Sequence, residues 1–240
     1  MKWHILDTGI ASAEANMALD AELLQKISKT EQPILHLYGW EGDCATYGYF
    51  LDPYKILKKE SVKRYNLQLA RRPTGGGLVF HLTDLAFSIL VPARHSAYSV
   101  NTLENYAFVN RIVANVVQQF LGTKEHPDLL SLETKGIENH SRHFCMAKPT
   151  KYDVMWQGRK VGGAAQRRTR HGFLHQGTIS IALPSKSFLL EILTDPTVFV
   201  RMQENTFSLL KEEQIPEELA ETRRFLQELL MRAVQGLEGN

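Results

Sequence analysis

Tyr152-Asp153-Val154-Met155-Trp156-Gln157-Gly158-Arg159-Lys160-Val161-Gly162-Gly163-Ala164-Ala165 reads as a strand, a tight turn and a second strand. Residues 152–156 read as a strand, and Gln157-Gly158 supplies the turn into a strand over 159–165. A hairpin makes antiparallel neighbours, so the sheet to which it belongs is expected to be antiparallel or mixed. Gly177 to Leu183 continues that sheet, as do Ile34-Leu35-His36-Leu37-Tyr38 and the apolar run Leu85-Ala86-Phe87-Ser88-Ile89-Leu90-Val91, which Pro92 closes.

Three helical patterns flank these strands. Residues 12–28 begin at Ser12 as N-cap and bring Ala13, Met17, Ala21, Leu24 and Ile27 near one face. Residues 103–121 repeat Tyr106, Val109, Ile112, Val113, Val116, Val117 and Phe120 at helical spacing, with Thr102 as N-cap and Gly122 just past the end. A last helix opens at Pro216 and runs through Leu219, Phe225, Leu226, Leu229, Leu230 and Val234. The strands do not alternate with helices as in a doubly wound fold. The expected class is α/β (α+β): a mixed, largely antiparallel sheet flanked by helices.

The 240 residues weigh 27.3 kDa and are 43% hydrophobic and 22% charged, which excludes a disordered chain. With 28 basic against 26 acidic residues the formal charge is +2, too even for a dedicated nucleic-acid binder. No apolar run reaches the ~20 residues that span a bilayer. Residues 1–7 lack the apolar core of a signal peptide. Cys44 and Cys145, the two cysteines, make neither a disulfide framework nor a Cys-rich zinc site. These features predict a cytoplasmic protein with free thiols and no partner among membranes or nucleic acids. With no linker or repeat in the chain, one domain over 1–240 is expected.

Arg71-Arg72-Pro73-Thr74-Gly75-Gly76-Gly77-Leu78-Val79-Phe80-His81 is the most unusual segment. Three adjacent glycines let a ligand approach the main chain, exposed N–H groups there can cradle an anion, and Arg71 and Arg72 add fixed donors. It is neither a phosphate-binding Walker loop nor a dinucleotide fingerprint, since no Lys-Ser/Thr follows the glycines; its bland alternative is a Gly-rich hairpin turn. The small residues Gly162, Gly163, Ala164 and Ala165 likewise leave open space beside the chain. Lys160, taken alone, reads as a solvated charge, and His175 in Leu174-His175-Gln176-Gly177 as a packing residue.

Together and in this order, these segments resemble the lipoate-protein ligase and octanoyltransferase family, which shares its catalytic module with biotin protein ligases. Ala15-Asn16-Met17-Ala18-Leu19-Asp20 resembles that family's first helix, Tyr38-Gly39-Trp40 and Tyr47-Gly48 its next strand and turn, Arg71–His81 its arginine-glycine loop, and Gly158–Arg168 its lysine motif. The resemblance covers most of residues 1–183. It implies a mixed sheet flanked by helices, with an acyl tunnel beside the Gly-rich loop. The 184–240 portion is expected to be helical, without a separate accessory domain.

Such a family moves a medium-chain acyl group onto a lysine of a lipoyl carrier domain, in a 2-oxoacid dehydrogenase or in the glycine cleavage H protein. His143-Phe144-Cys145-Met146-Ala147-Lys148-Pro149-Thr150-Lys151-Tyr152 resembles the Cys-x-x-x-Pro-x-x-Tyr stretch of its cysteine-dependent octanoyltransferases. The resemblance then implies Cys145 as nucleophile, Lys160 beside it, and acyl carrier protein as thioester donor, with no cofactor. It implies substrate contacts from Arg71, Arg72, Gly75, Gly76, Gly77, His81, Gly162, Gly163, Ala164 and His175, and no metal. Gly77, where that branch often has arginine, resembles the ligase branch instead, which uses ATP and Mg²⁺ and would leave Cys145 idle. Two further departures are Leu82 after His81, where the family often has aspartate, and Gln176 where it commonly has histidine. A non-catalytic acyl- or carrier-binding protein is the third reading. Arg167, Arg168 and Arg170 form a candidate docking surface for an acidic carrier.

Overall fold

The hairpin at Gln157-Gly158 sits near one side of a seven-stranded sheet whose order is β1-β2-β6-β10-β9-β8-β7. Its strands are β1 (His4–Ala11), β2 (Ile34–Trp40), β6 (Asp84–Pro92), β7 (Asp128–Leu129), β8 (Val154–Trp156), β9 (Arg159–Thr169) and β10 (Gly172–Ser180). The computed structural model describes residues 2–131, 144, 146–147, 149–210 and 215–237. Both turn residues are left-handed, with φ of 50° at Gln157 and 73° at Gly158, the combination a two-residue turn needs to match strand twist. All pairings in the sheet are antiparallel except β1 with β2. This is the expected mixed, largely antiparallel sheet. β9 and β10 run longer than expected, because Arg167 and Arg168 continue the ladder opposite Leu174 and Phe173. β10 ends at Ser180, so the strand read over 177–183 lies further toward the N-terminus.

Helices cover both faces. α1 (Ala13–Lys26) packs on β6 and β10 from one side, capped by Ser12 as read. The helical pattern to residue 28 ends instead in a 3-10 turn over Ile27–Lys29. α3 (Thr102–Leu121) and α6 (Pro216–Gly236) pack against each other and cover the opposite face. The cap of α3 is Asn101 rather than Thr102, because the Asn101 side chain accepts from the Leu103 amide while Thr102 is already helical. Val109, Ile112, Val113, Val116 and Val117 of α3 meet Leu226, Leu229, Leu230 and Val234 of α6 and the inward side chains Phe87 and Phe173 in one core.

A smaller sheet, β3 (Cys44–Tyr47), β4 (Gln68–Arg71) and β5 (Leu78–Phe80), has the order β4-β3-β5 and packs against α1. Short helices α2 (Lys59–Arg64), α4 (Lys186–Ile192) and α5 (Thr197–Asn205) close a second core around Leu57, Phe80, Phe188 and Leu193. The Gly-rich loop joins β4 to β5 and overhangs the face of the large sheet that carries α1. Among the described residues, no helix is long and apolar enough to cross a membrane.

Candidate active site

Arg72 is the centre of the Gly-rich loop. It is buried, and its guanidinium points inward: Nη1 donates to the Thr46 carbonyl at 3.0 Å and to Thr46 Oγ1 at 2.8 Å, and Nη2 to the carbonyls of Gly75 at 3.1 Å and Gly77 at 2.6 Å. A planar guanidinium with several donors in a fixed fork suits this task, since one side chain can hold two turns of backbone. Arg72 thus binds the loop's own carbonyls rather than standing ready for a phosphate. Gly76 takes φ of 91°, which a side chain rarely adopts. A Cβ at Gly48 would sit 2.0 Å from the Gly76 carbonyl oxygen, so only glycine lets the β3 turn press against the loop. Arg71 faces outward, with its guanidinium 4.9 Å from the Tyr49 ring centroid.

Behind Arg72 runs a chain of buried hydrogen bonds. Thr46 Oγ1 meets His81 Nε2 at 2.8 Å, and His81 Nδ1 meets Asp84 Oδ2 at 2.8 Å. A carboxylate has no proton to give, so Nδ1 carries the hydrogen and donates it to Asp84. Thr178 Oγ1 donates to the same oxygen of Asp84. Trp40 stacks on the His81 ring at 4.4 Å. Asp84 was not singled out by its sequence context; a lone aspartate at a strand start carries no signal of such a role.

A second buried chain starts on α1. Asp20, wholly buried, accepts from Ser88 Oγ at 2.6 Å, from Gln176 Nε2 at 2.6 Å and from His36 Nδ1 at 2.8 Å. Gln176 Oε1 then accepts from Thr74 Oγ1 at 2.6 Å. Arg72, Thr46, His81, Gly163, Ala164, Ala165, Gln176 and Thr178 line one cavity with Met17, Tyr38 and Val79. A neighbouring, mostly apolar cavity shares Val79 and Thr178 with it and is lined by Leu78, Phe80, Phe144, Met146 and Met202.

His175 is not at this site. Successive strand residues face opposite sides, and with Gln176 turned toward Thr74, His175 lies against Tyr106 of α3, ring centroids 5.4 Å apart. It is wholly buried, and burial pushes its pKa down to about 3. The side chains that line the cavity from β10 are those of its other face, Gln176 and Thr178. The three arginines offered as one docking surface also divide. Arg167 reaches over the loop to the Pro73 carbonyl at 3.3 Å, Arg168 turns to the Tyr98 hydroxyl at 3.3 Å, and Arg170 meets His171.

Lys160 is fully buried rather than solvated, with Nζ 2.7 Å from Asp153 Oδ2. Burial raises the Asp153 pKa, and the Lys160 ammonium opposes that rise. A register shift in the β8–β9 ladder pairs Lys160 with Met155 and Gly162 with Val154, so the small-residue stretch begins one residue past an irregularity. The Lys160 carbonyl accepts from the Phe207 amide at 2.8 Å, and Thr206 pairs with Lys160. Thr206 Oγ1 in turn donates to the Met146 carbonyl at 3.0 Å, while Phe144 pairs with Leu78, immediately after the Gly-rich loop. The candidate nucleophile Cys145 lies outside the described residues. Cys44 is fully buried, and its thiol pKa is pushed far up by that burial.

The geometry can be set beside known proteins. Residues 12–198 match the model of the lipoyl protein ligase A/B catalytic domain. The chain belongs to that family. Within it, the chain is 33% identical over 209 residues to octanoyltransferase LipM of Bacillus subtilis (strain 168), covering 85% of this chain and 74% of that one. It is also 33% identical over 184 residues to octanoyltransferase LipM of Anoxybacillus flavithermus, covering 75% and 66%. The same fold appears in a crystal structure of lipoate-protein ligase A bound with ATP (TM-score 0.71, 21% identity, 97% of this chain and 84% of that one). It appears again in a bi-partite lipoate protein ligase studied with its E2 lipoyl domain, from Thermoplasma acidophilum (TM-score 0.63, 21% identity, 98% and 84%).

Proposed function

We propose that this chain is an octanoyltransferase of protein lipoylation, taking the acyl group from acyl carrier protein and delivering it to a lysine of a lipoyl domain through a thioester on Cys145. The supporting observation is the placement of Phe144 and Met146, the residues on either side of Cys145. Both line the cavity that shares Val79 and Thr178 with the Gly-rich loop cavity, and Met146 is one hydrogen bond from Thr206, the residue paired with Lys160. The relatives named octanoyltransferase support the same reading. So does the E2 lipoyl domain that accompanies the T. acidophilum ligase, for the acceptor.

In this reading the Cys145 thiolate attacks the thioester carbonyl, the carbon–sulfur bond to the donor breaks, and the donor leaves as a thiol after taking a proton. The acceptor lysine amine then attacks the Cys145 thioester, the amide forms, and the Cys145 thiolate is regenerated as the amine loses its proton. An ammonium beside a thiol lowers its pKa below the ~8.5 of free cysteine. Lys160, fixed by Asp153, is the group assigned that work and the proton transfers. Main-chain N–H groups of the Gly75–Gly77 and Gly162–Gly163 stretches are assigned to the oxyanion, and the octanoyl tail to the cavity lined by Arg72, His81, Ala164 and Gln176. A reduced Cys145 fits a cytoplasmic compartment.

Purified protein mixed with octanoyl-acyl carrier protein is expected to gain a hydroxylamine-sensitive octanoyl mass on the peptide that contains Cys145. Normal turnover by Cys145→Ala would refute the covalent route. One residue, Gly77, favours the ligase reading. There, ATP would activate the free acid, and Asp84 Oδ1, buried in the wall of the Phe144–Met146 cavity with no hydrogen-bond partner among the described residues, would be available to Mg²⁺. Pyrophosphate release from ATP with octanoic or lipoic acid decides for that reading.

A further inference from the structure

We infer that Asp20 and Gln176 are positioning residues for the acyl cavity: the α1 carboxylate orients the Gln176 amide, and the amide, through Thr74, holds the Gly-rich loop down over the cavity. The proposal rests on reading this cavity as the site of the octanoyl tail. Asp20 offers acceptors only, so the nitrogen of Gln176 must face it, at 2.6 Å. The oxygen of the amide is thereby turned toward Thr74, whose hydroxyl donates at 2.6 Å. The chain has one direction, Thr74 to Gln176 to Asp20, and every member is nearly or fully buried: Thr74 1% exposed, Gln176 6% and Asp20 0%. A buried polar chain with every partner in place specifies one geometry, whereas losing one member leaves others unpaired.

The loop needs such a fastening because Gly75, Gly76 and Gly77 have no side chains of their own to anchor it. Arg72 holds it from within through two carbonyls, and the Tyr49 amide holds the Thr74 carbonyl at 2.9 Å. Arg167 reaches the Pro73 carbonyl from outside at 3.3 Å, and Gln176 adds a hold from the floor of the cavity itself. Because Gln176 is a lining residue and lies along β10 from the end nearest Lys160, its loss is expected to weaken tail binding more than the chemical step.

The test uses Gln176→Met and Thr74→Val, near-isosteric changes that delete the amide and the hydroxyl, and the conservative Thr74→Ser. The probe is S-octyl-pantetheine, a thioether that cannot be transferred, measured by calorimetry alongside KM and kcat for octanoyl-acyl carrier protein. Each deletion is expected to weaken probe binding and raise KM by about tenfold with kcat within about twofold, a size set by one buried hydrogen bond. The double variant is expected to show about tenfold rather than a hundredfold, since both changes break the same chain. Thr74→Ser is expected to behave as wild type. Unchanged binding and KM in the folded variants, multiplicative effects, or loss confined to kcat would each overturn the proposal. A wild type that binds the probe yet forms no Cys145 adduct with octanoyl-acyl carrier protein would instead refute the covalent route, with the variants still deciding the positioning role; a wild type that does not bind the probe refutes both.

Discussion

Lys160 shows how far a single side chain can depart from its sequence prior. By type it reads as solvated, and only its setting in the Gly158–Arg168 motif marked it; the structure buries it against Asp153. Removing one member of a buried ion pair leaves the other charge without compensation. Lys160→Met is therefore expected to lower stability by about 3–5 kcal/mol and to abolish transfer. Adding Asp153→Leu is expected to recover part of that stability in thermal unfolding while activity stays lost, which separates the structural from the chemical contribution. The two thiols should differ as sharply. Cys44, buried with a strongly raised pKa, is expected to be silent toward a thiol reagent in the native state and to label only after denaturation. His175 leaves a pH signature. Burial lowers its pKa from the usual 6.5 to about 3, so the unfolded ring takes up a proton at higher pH than the folded one. The stability it favours is complete above about pH 6.5 and is lost as pH falls toward 3, by about 1.4 kcal/mol per pH unit. Urea unfolding at pH 7 and pH 5 is expected to show a shallower loss for His175→Gln than for wild type. Asp84 carries no signal in the sequence and Asp20 only its place in the Ala15–Asp20 stretch, since an aspartate reveals its role only through the partners that folding brings to it.

Strands and helices were more legible than side-chain direction. Apolar periodicity gave α3 and α6 their buried stripes, and Gln157-Gly158 gave the hairpin its position. What periodicity could not settle was which of two adjacent residues on β10 faces the cavity. All nine residues of β10 are buried, so no alternation of polar and apolar residues marks its two faces. His175 was read because histidine carries chemistry, and the fold turned it to α3 and gave the cavity to Gln176 instead. The small sheet shows the same gap: its strands have three or four residues each, too short for a pattern, yet β4 and β5 carry the Gly-rich loop between them and the turn after β3 presses against it. That arrangement makes a sharp prediction. Gly48→Ala places a methyl group 2.0 Å from the Gly76 carbonyl oxygen, a backbone contact that no rotamer change can relieve. The variant is expected to lose about 1–3 kcal/mol of stability in denaturant unfolding. Probe binding and transfer are expected to fall together, because the displaced Gly76 lies against Arg72 and Ala165, which line the cavity.

The chain closes on itself through α6, which lies far from the Gly-rich loop in sequence but supports the same site. Its buried Leu226, Leu229, Leu230 and Val234 complete the core beneath the sheet. Burial of four such side chains contributes about 6–12 kcal/mol, comparable with the whole stability of a typical domain. A chain ending at residue 210 is therefore expected to show no cooperative thermal transition. Arg223 gives the helix a second task. Its Nε donates to the Asp84 carbonyl at 2.8 Å and its Nη2 to the Leu82 carbonyl at 2.5 Å, fixing the turn between β5 and β6. That turn sets Asp84, Asp84 sets His81, and through Thr46 the same chain reaches Arg72 and the loop carbonyls. Arg223→Lys keeps the charge but loses the fork that spans both carbonyls. It is expected to lower kcat/KM by about fivefold, the equivalent of about 1 kcal/mol, while circular dichroism shows an intact fold. Unchanged kcat/KM would mean that the turn is held by the sheet alone and that α6 contributes only its apolar face.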